Sequence, residues 1–174
     1  MPSVDFRAGI ALGSNQGDSL SHLRQAARTL RQLSSSPDSV RASHIYRTEP
    51  VDCLPGSPFF LNAVVEIEWR KDVLTLWEKL QALETTAGRQ RSQQPLHAPR
   101  PLDLDFLYFG STVLTSGPVH LPHPRIKNRR FVLAPLADCA PDRVLPNEKL
   151  TIQQLLATLP FFPSAEKIEE TLFT

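Results

Sequence analysis

Long apolar runs are missing from this chain of 174 residues, and none approaches the roughly 18 consecutive apolar residues of a membrane span. The opening MPSVDFRAGIALGSNQGD lacks the basic start and unbroken apolar stretch of a signal peptide, because Asp5 and Arg7 interrupt it. Cysteine is scarce. Cys53 and Cys139 have neither metal-ligand spacing nor the density of a secreted disulfide scaffold, so two ordinary thiols in a reducing cytoplasm are expected. Five histidines are scattered, and the close pair His120 and His123 has no companion ligands at zinc-site spacing. A dominant charge is absent too. With 19 Lys+Arg against 18 Asp+Glu the net charge is +1, which gives no global attraction for nucleic acid or an anionic membrane.

What is present is a core-forming composition, 41% hydrophobic and 21% charged, which excludes disorder of the whole chain. The length fits one domain over residues 1–174. Two excesses stand out: 14 arginines to 5 lysines, and 16 prolines. A planar guanidinium matches phosphate and carboxylate oxygens with paired donors, which an ammonium does not.

Along the chain, 6–12 is apolar enough for a strand, and Gly13 to Asp18 is a turn of small and polar residues. A helix fits 19–33, where Leu20, Leu23, Ala27 and Leu30 share a stripe and Asp18 or Ser19 can cap the first turn. Strands are expected over 40–48 and 59–69 with a Pro/Gly-rich loop, 49–58, between them. A second helix runs from a cap at Asp72 to about Thr86, and Gly88 stops it. After the proline-containing loop 89–101 come a strand at 102–109 and a short strand around Val113 and Leu114. Two helices are expected within 127–137 and 151–158. The order βαββαβ predicts an α+β, ferredoxin-like sandwich: an antiparallel sheet with helices on one face, plus a C-terminal helical or hairpin extension. The other sheet face is left for loops or a ligand.

The sharpest chemical feature is Arg100-Pro101-Leu102-Asp103-Leu104-Asp105-Phe106. Strand alternation puts Asp103 and Asp105 on one face, with Leu102, Leu104 and Phe106 on the other. Two adjacent carboxylates repel unless a cation lies between them, and Mg²⁺, with hard oxygen ligands and a preference for substrate phosphates, is the natural partner. A polar strand end answered by arginines is the plainer alternative. Charge is lopsided around the pair. Residues 85–135 hold seven basic groups (Arg89, Arg91, Arg100, Arg125, Lys127, Arg129 and Arg130) against Asp103 and Asp105, a local +5. That set resembles a polyphosphate environment. Gly13 to Asp18, at a strand-to-helix turn, is a weaker phosphate cradle and lacks the P-loop lysine and glycine spacing. Asn62 interrupts an apolar strand and needs either backbone partners or a polar heterocycle. Phe60 and Phe131 read as core or as stacking platforms, and Glu84 as a solvated helical carboxylate unless something buries it.

Five blocks together resemble the 6-hydroxymethyl-7,8-dihydropterin pyrophosphokinase family: Ala11-Leu12-Gly13-Ser14-Asn15, Tyr46-Arg47-Thr48, Phe60-Leu61-Asn62-Ala63-Val64, Arg100 to Asp105, and Pro122-His123-Pro124-Arg125 through Leu133. The likeness spans about residues 5–145, and its most specific part is the Arg-Pro-Leu-Asp-Leu-Asp block with the His-Pro-Arg and Arg-Arg-Phe segment. The resemblance implies transfer of the pyrophosphoryl group of ATP to the pterin's hydroxymethyl oxygen, with release of AMP, in folate biosynthesis. It implies two Mg²⁺ ions at Asp103 and Asp105 and ATP as co-substrate, with Arg89, Arg91, Arg100, His123 and Arg129 meeting the phosphates. Of these, Arg89, Arg91 and Arg100 join the aspartates as the catalytic set. Glu84 anchors an adenosine-side or loop-side contact. The pterin falls to Asn62, the Thr48 backbone, Val51 in the loop after it, and the rings of Phe60 and Phe131. Partners are then the two substrates, with neither nucleic acid nor membrane; a monomer is expected and a dimer left open. The chain departs from the family at Leu96-His97-Ala98, where relatives often carry Arg-Trp-Gly. Two competing readings are another Mg²⁺-dependent phosphotransferase or phosphohydrolase, which gives ADP or phosphate, and an RNA-binding sandwich, whose binding ignores Asp103.

Overall fold

The structure, a computed structural model, describes residues 6–90, 92, 95 and 97–174. In chain order the elements are β1 (Phe6–Ser14), α1 (Ser19–Leu33), β2 (Arg41–Ala42), β3 (Tyr46–Thr48), β4 (Phe60–Trp69), α2 (Val73–Thr86), β5 (Asp103–Phe109), α3 (Arg130–Cys139), α4 (Ile152–Thr158) and β6 (Ala165–Lys167). Both long helices start on an aspartate. Asp18 accepts the Ser21 N–H at 3.0 Å and Asp72 accepts the Thr75 N–H at 2.9 Å, each satisfying a helix-terminal donor. Among the described residues no helix is long and apolar enough to cross a membrane.

The strands form one antiparallel sheet in the order β5-β1-β4-β3-β6, with β2 also pairing β4. With β2 and β3 taken as one broken strand, this is the ferredoxin-like arrangement expected from the element order. The break has a local cause. Ser43 donates its N–H to the Val64 carbonyl, and its hydroxyl accepts the Val64 N–H at 2.8 Å, so a side chain replaces a ladder bond between the two pieces. The short strand expected near Val113 is reduced to a single bridge between Leu114 and Leu121. β6 went unforeseen, since three residues of mixed character carry no alternation; it extends the sheet beyond β3.

Alternation along the strands assigns the two faces. Ala8, Ile10 and Leu12 of β1, Ala63, Val65 and Ile67 of β4, and Leu104 and Phe106 of β5 pack with Leu23, Ala27 and Leu30 of α1 and Leu76 and Leu80 of α2. The opposite face divides in two. At one end Val64, Leu107 and Tyr108 lie under α3 and α4, against Val132, Leu133, Leu136, Ile152 and Leu155. Gly9 is required there, because a Cβ would come within 2.4 Å of the Tyr108 ring. Glu66, fully buried beneath the helices, accepts the Tyr108 hydroxyl and an Arg143 N–H at 3.1 Å, with Arg7 and Arg41 at 3.6 and 3.5 Å. Burial and the Glu66 charge push the Tyr108 phenol well above its ordinary range. Loops or a ligand were the expected cover for this face; helices cover that end, and loops surround a cavity at the other.

Candidate active site

The open end of the sheet holds a cavity of about 640 Å³, within the range of small-molecule sites. Its floor is the sheet itself: Ala11 and Gly13 of β1, Phe60 and Asn62 of β4, Thr48 of β3, and Asp103 and Asp105 of β5. Its walls come from four chain segments, the last being Pro163 and Ser164 before β6. Glu49, Val51 and Asp52 follow β3, Arg89, Pro95, His97, Ala98 and Arg100 precede β5, and Arg125 and Asn128 to Val132 lead into α3. Gly13 keeps the floor low, since a Cβ there would stand 3.0 Å from the Asn62 amide oxygen.

The carboxylate pair is matched by arginines. Arg89 bridges Asp103 and Glu84, Arg100 Nε lies 3.2 Å from Asp103, and Arg129 lies 3.3 Å from Asp105. His123 Nε2 is 3.9 Å from Asp105. Burial pushes the Asp105 carboxyl up, and the neighbouring Asp103 charge adds to it, against the pull of His123, Arg129 and Arg100. Burial pulls the His123 imidazole down despite Asp105, with Arg129 and Arg125 adding to the effect. For Arg89, burial works against the charged form, but Asp103 and Glu84 outweigh it and hold the guanidinium more firmly protonated. The donor set fits Mg²⁺: two carboxylates on one strand face, open to a cavity where phosphate oxygens and water can complete the shell. Among the described residues no group of three or more His, Cys, Asp or Glu is placed to hold a metal unaided.

Asn62 is buried and donates to the Thr48 hydroxyl at 2.6 Å, so the odd amide of β4 and the end of β3 form one polar edge on the cavity floor. Guanidinium groups cover both phenyl rings. Arg100 stands 5.4 Å from the Phe60 ring centre and Arg129 5.3 Å from that of Phe131. The same arginines thus touch the carboxylates and the rings.

Of the residues singled out from the sequence, Thr48, Val51, Phe60, Asn62, Arg89, Arg100, Asp103, Asp105, Arg129 and Phe131 border this one cavity. His123 reaches it through Asp105. Arg91 lies outside the described residues. Glu84 does not line the cavity; it is 2% exposed, accepts the Leu104 N–H at 2.7 Å and the Arg89 guanidinium at 2.6 Å, and so holds the start of β5 from behind. The Gly13–Asp18 turn has another use than a phosphate cradle. Asn15 donates its N–H to the Arg100 carbonyl, accepts the Arg100 N–H at 2.9 Å and donates its side-chain amide to the Pro58 carbonyl at 3.3 Å. One asparagine therefore ties both loops that flank the cavity. Its only signal in the sequence was a small polar turn after a strand. Pro163 and Ser164 also border the cavity and carried no signal, because they sit next to a strand that periodicity does not reveal.

Residues 9–141 match the family model described as 7,8-dihydro-6-hydroxymethylpterin-pyrophosphokinase. A 2-amino-4-hydroxy-6-hydroxymethyldihydropteridine pyrophosphokinase of Haemophilus influenzae is 36% identical over 143 residues, 82% of this chain and 87% of that protein. One from Bacillus subtilis is 40% identical over 131 residues, 75% of this chain and 76% of that protein. The folate synthesis bifunctional protein of Arabidopsis thaliana is 36% identical over 81% of this chain, which spans 28% of it. Among solved structures, that of Plasmodium falciparum HPPK-DHPS with pterin and p-hydroxybenzoate matches with a TM-score of 0.69 at 12% identity, over 90% of this chain and 44% of that one, a likeness of fold.

Proposed function

The chain belongs to the 7,8-dihydro-6-hydroxymethylpterin-pyrophosphokinase family, and from that premise we propose how its cavity performs the reaction. The activity is transfer of the pyrophosphoryl group of ATP to the hydroxymethyl oxygen of the pterin, in folate biosynthesis. A bond forms between that oxygen and the β-phosphorus. The bond from the β-phosphorus to the oxygen bridging the α-phosphate breaks, AMP leaves with that oxygen, and the hydroxyl proton is released.

Asp103 and Asp105 would hold Mg²⁺, with two ions expected. When bound, the metal neutralises phosphate charge and draws electron density from the transferred group. Arg89, Arg100 and Arg129, now turned to the two carboxylates, would exchange them for phosphate oxygens once those carboxylates serve as metal ligands. The exchange also uncovers the Phe60 and Phe131 rings, because the guanidinium groups that leave the aspartates are those lying over the rings. The pterin then stacks between the rings and bonds through its polar edge to Asn62, beside Thr48 and Val51. Burial pulls the His123 imidazole towards its neutral form, in which it can still donate a hydrogen bond to phosphate. Little covalent work is left for side chains, as is usual when a phosphorus centre is attacked in line.

The observation that supports this reading best is the joining of Asp103 and Asp105 to three guanidinium groups on the floor of the cavity that also holds Asn62. It also disfavours the RNA-binding reading, since these arginines face two half-buried carboxylates and not an exposed stripe. Asp103→Ala and Asp105→Ala test it. AMP formation nearly vanishes in both, and Mn²⁺ binding in the presence of a non-hydrolysable ATP analogue, followed by electron spin resonance, is lost in parallel. Undiminished AMP formation or unchanged Mn²⁺ binding in both variants overturns the assignment.

A further inference from the structure

Arg130 differs from the three arginines that face the aspartates. Where Arg89, Arg100 and Arg129 face Asp103 or Asp105, Arg130 has no carboxylate partner among the described residues, and its guanidinium is given to main chain. Nε donates to the Pro160 carbonyl at 2.9 Å, Nη2 donates to the Leu159 carbonyl at 3.1 Å, and the group lies 5.5 Å from the Phe161 ring centre. The segment it grips leaves α4 and runs to β6. On the way it places Pro163 and Ser164 on the cavity wall, and the next residue, Ala165, pairs with Thr48.

Past Leu159, which packs beside α3 and α4, packing does not hold this segment in place. Phe161 and Phe162, its two large apolar side chains, are 72% and 71% exposed. What fixes it are two attachments: Arg130 at the start of α3, and the ladder between β6 and β3. Both lead to residues given to the pterin above, since Arg130 directly precedes Phe131 and Ala165 directly opposes Thr48. The segment also lies beyond residues 9–141, the part that matches the family model.

From this geometry we propose that Arg130 is a positioning residue that fixes Pro163 and Ser164 as the outer wall of the pterin subsite, so that the C-terminal segment governs pterin affinity without touching ATP. The inference rests on the functional reading above. Without Arg130 the segment stays tethered through β6 but loses its attachment to α3, and the wall no longer keeps one distance from Phe131. Pterin binding must then order that segment, which weakens it. The step from ATP bound to AMP released uses no group of this wall.

Steady-state AMP formation separates the effects when each substrate is varied with the other saturating. Arg130→Ala raises the KM for the pterin about five- to tenfold, with kcat and the KM for ATP within about twofold of the parent. Arg130→Lys recovers part of the loss, because an ammonium still reaches one of the two carbonyls. Ser164→Trp, which leaves Arg130 in place, raises the pterin KM by filling the wall and leaves the ATP KM unmoved; it carries the test if Arg130→Ala does not fold. An unchanged pterin KM in the variants overturns the proposal. So does a parallel rise in the ATP KM, which would make Arg130 a phosphate contact. Absence of AMP formation by the parent protein would instead overturn the functional reading beneath it.

Discussion

Replacing Glu84 by alanine removes a carboxylate that is 2% exposed and joins two structural groups. The first is the Leu104 N–H. β5 lies at the edge of the sheet among the described residues, and Leu104, opposite Leu12 of β1, has its N–H bound by Glu84 at 2.7 Å. A buried amide left without an acceptor costs about 1–3 kcal/mol. The second is Arg89, whose side chain is 13% exposed and which keeps Asp103 when Glu84 is gone. Removing one partner of a buried ion pair costs about 3–5 kcal/mol, and the surviving Asp103 contact puts this case at the lower end. The two losses overlap, because a single oxygen of Glu84 serves both groups, so Glu84→Ala destabilises by about 3–5 kcal/mol in total. Glu84→Gln keeps an oxygen for Leu104 and loses only the charge opposite Arg89, for about 1–3 kcal/mol. Urea unfolding followed by far-UV circular dichroism reads both values, provided the slope with denaturant is unchanged. An alanine variant within about 1 kcal/mol of the parent would refute the argument. A glutamine variant as damaged as the alanine one would show that the Leu104 bond carries no share.

Gly9→Ala destabilises by about 1–3 kcal/mol, because the new Cβ must displace a fully buried Tyr108 ring pinned by Glu66; an unfolding midpoint equal to the parent's would contradict the close approach. Burial pushes the Cys139 thiol up to about 12. At pH 8 its thiolate fraction is then about one in ten thousand, rising tenfold with each pH unit below that value. Ellman's reagent at pH 8 therefore reacts with Cys53 in the native protein and with Cys139 only after unfolding in urea; two thiols reacting at equal rates in the native state would refute this. Asn62→Ala weakens pterin binding by about ten- to a hundredfold and ATP binding by less than about threefold, as titration calorimetry with each ligand would read. Equal losses for both ligands would remove Asn62 from the pterin edge.

Periodicity carried the fold wherever one face of an element is apolar and the other is not. β1, α1, β4, α2 and β5 were legible for that reason, and so was the pairing of Asp103 with Asp105 on a single face. It failed where tertiary partners decide. The Ser43 hydroxyl splits a strand that reads as continuous, and β6 exists because β3 offers an unpaired edge rather than because Ala-Glu-Lys favours extension. Within the site, residue chemistry revealed the charged groups, whose purpose depends little on neighbours. Asn15 and Glu84 remained ambiguous because their work is to hold main chain that is distant in sequence, 85 residues away for Asn15 and Arg100 and 20 for Glu84 and Leu104. No local pattern records such a partner. The local excess of +5 over residues 85–135 likewise became meaningful once three of its arginines were found against two carboxylates on one cavity floor.

Product identity tests the central claim most directly. The protein is incubated with ATP, Mg²⁺ and 6-hydroxymethyl-7,8-dihydropterin, and the nucleotides are resolved by ion-exchange chromatography alongside the pterin. The account predicts AMP and the pterin diphosphate in equal amounts, with no nucleotide turnover when the pterin is left out. ADP as the nucleotide product, or nucleotide breakdown that proceeds without the pterin, would contradict it.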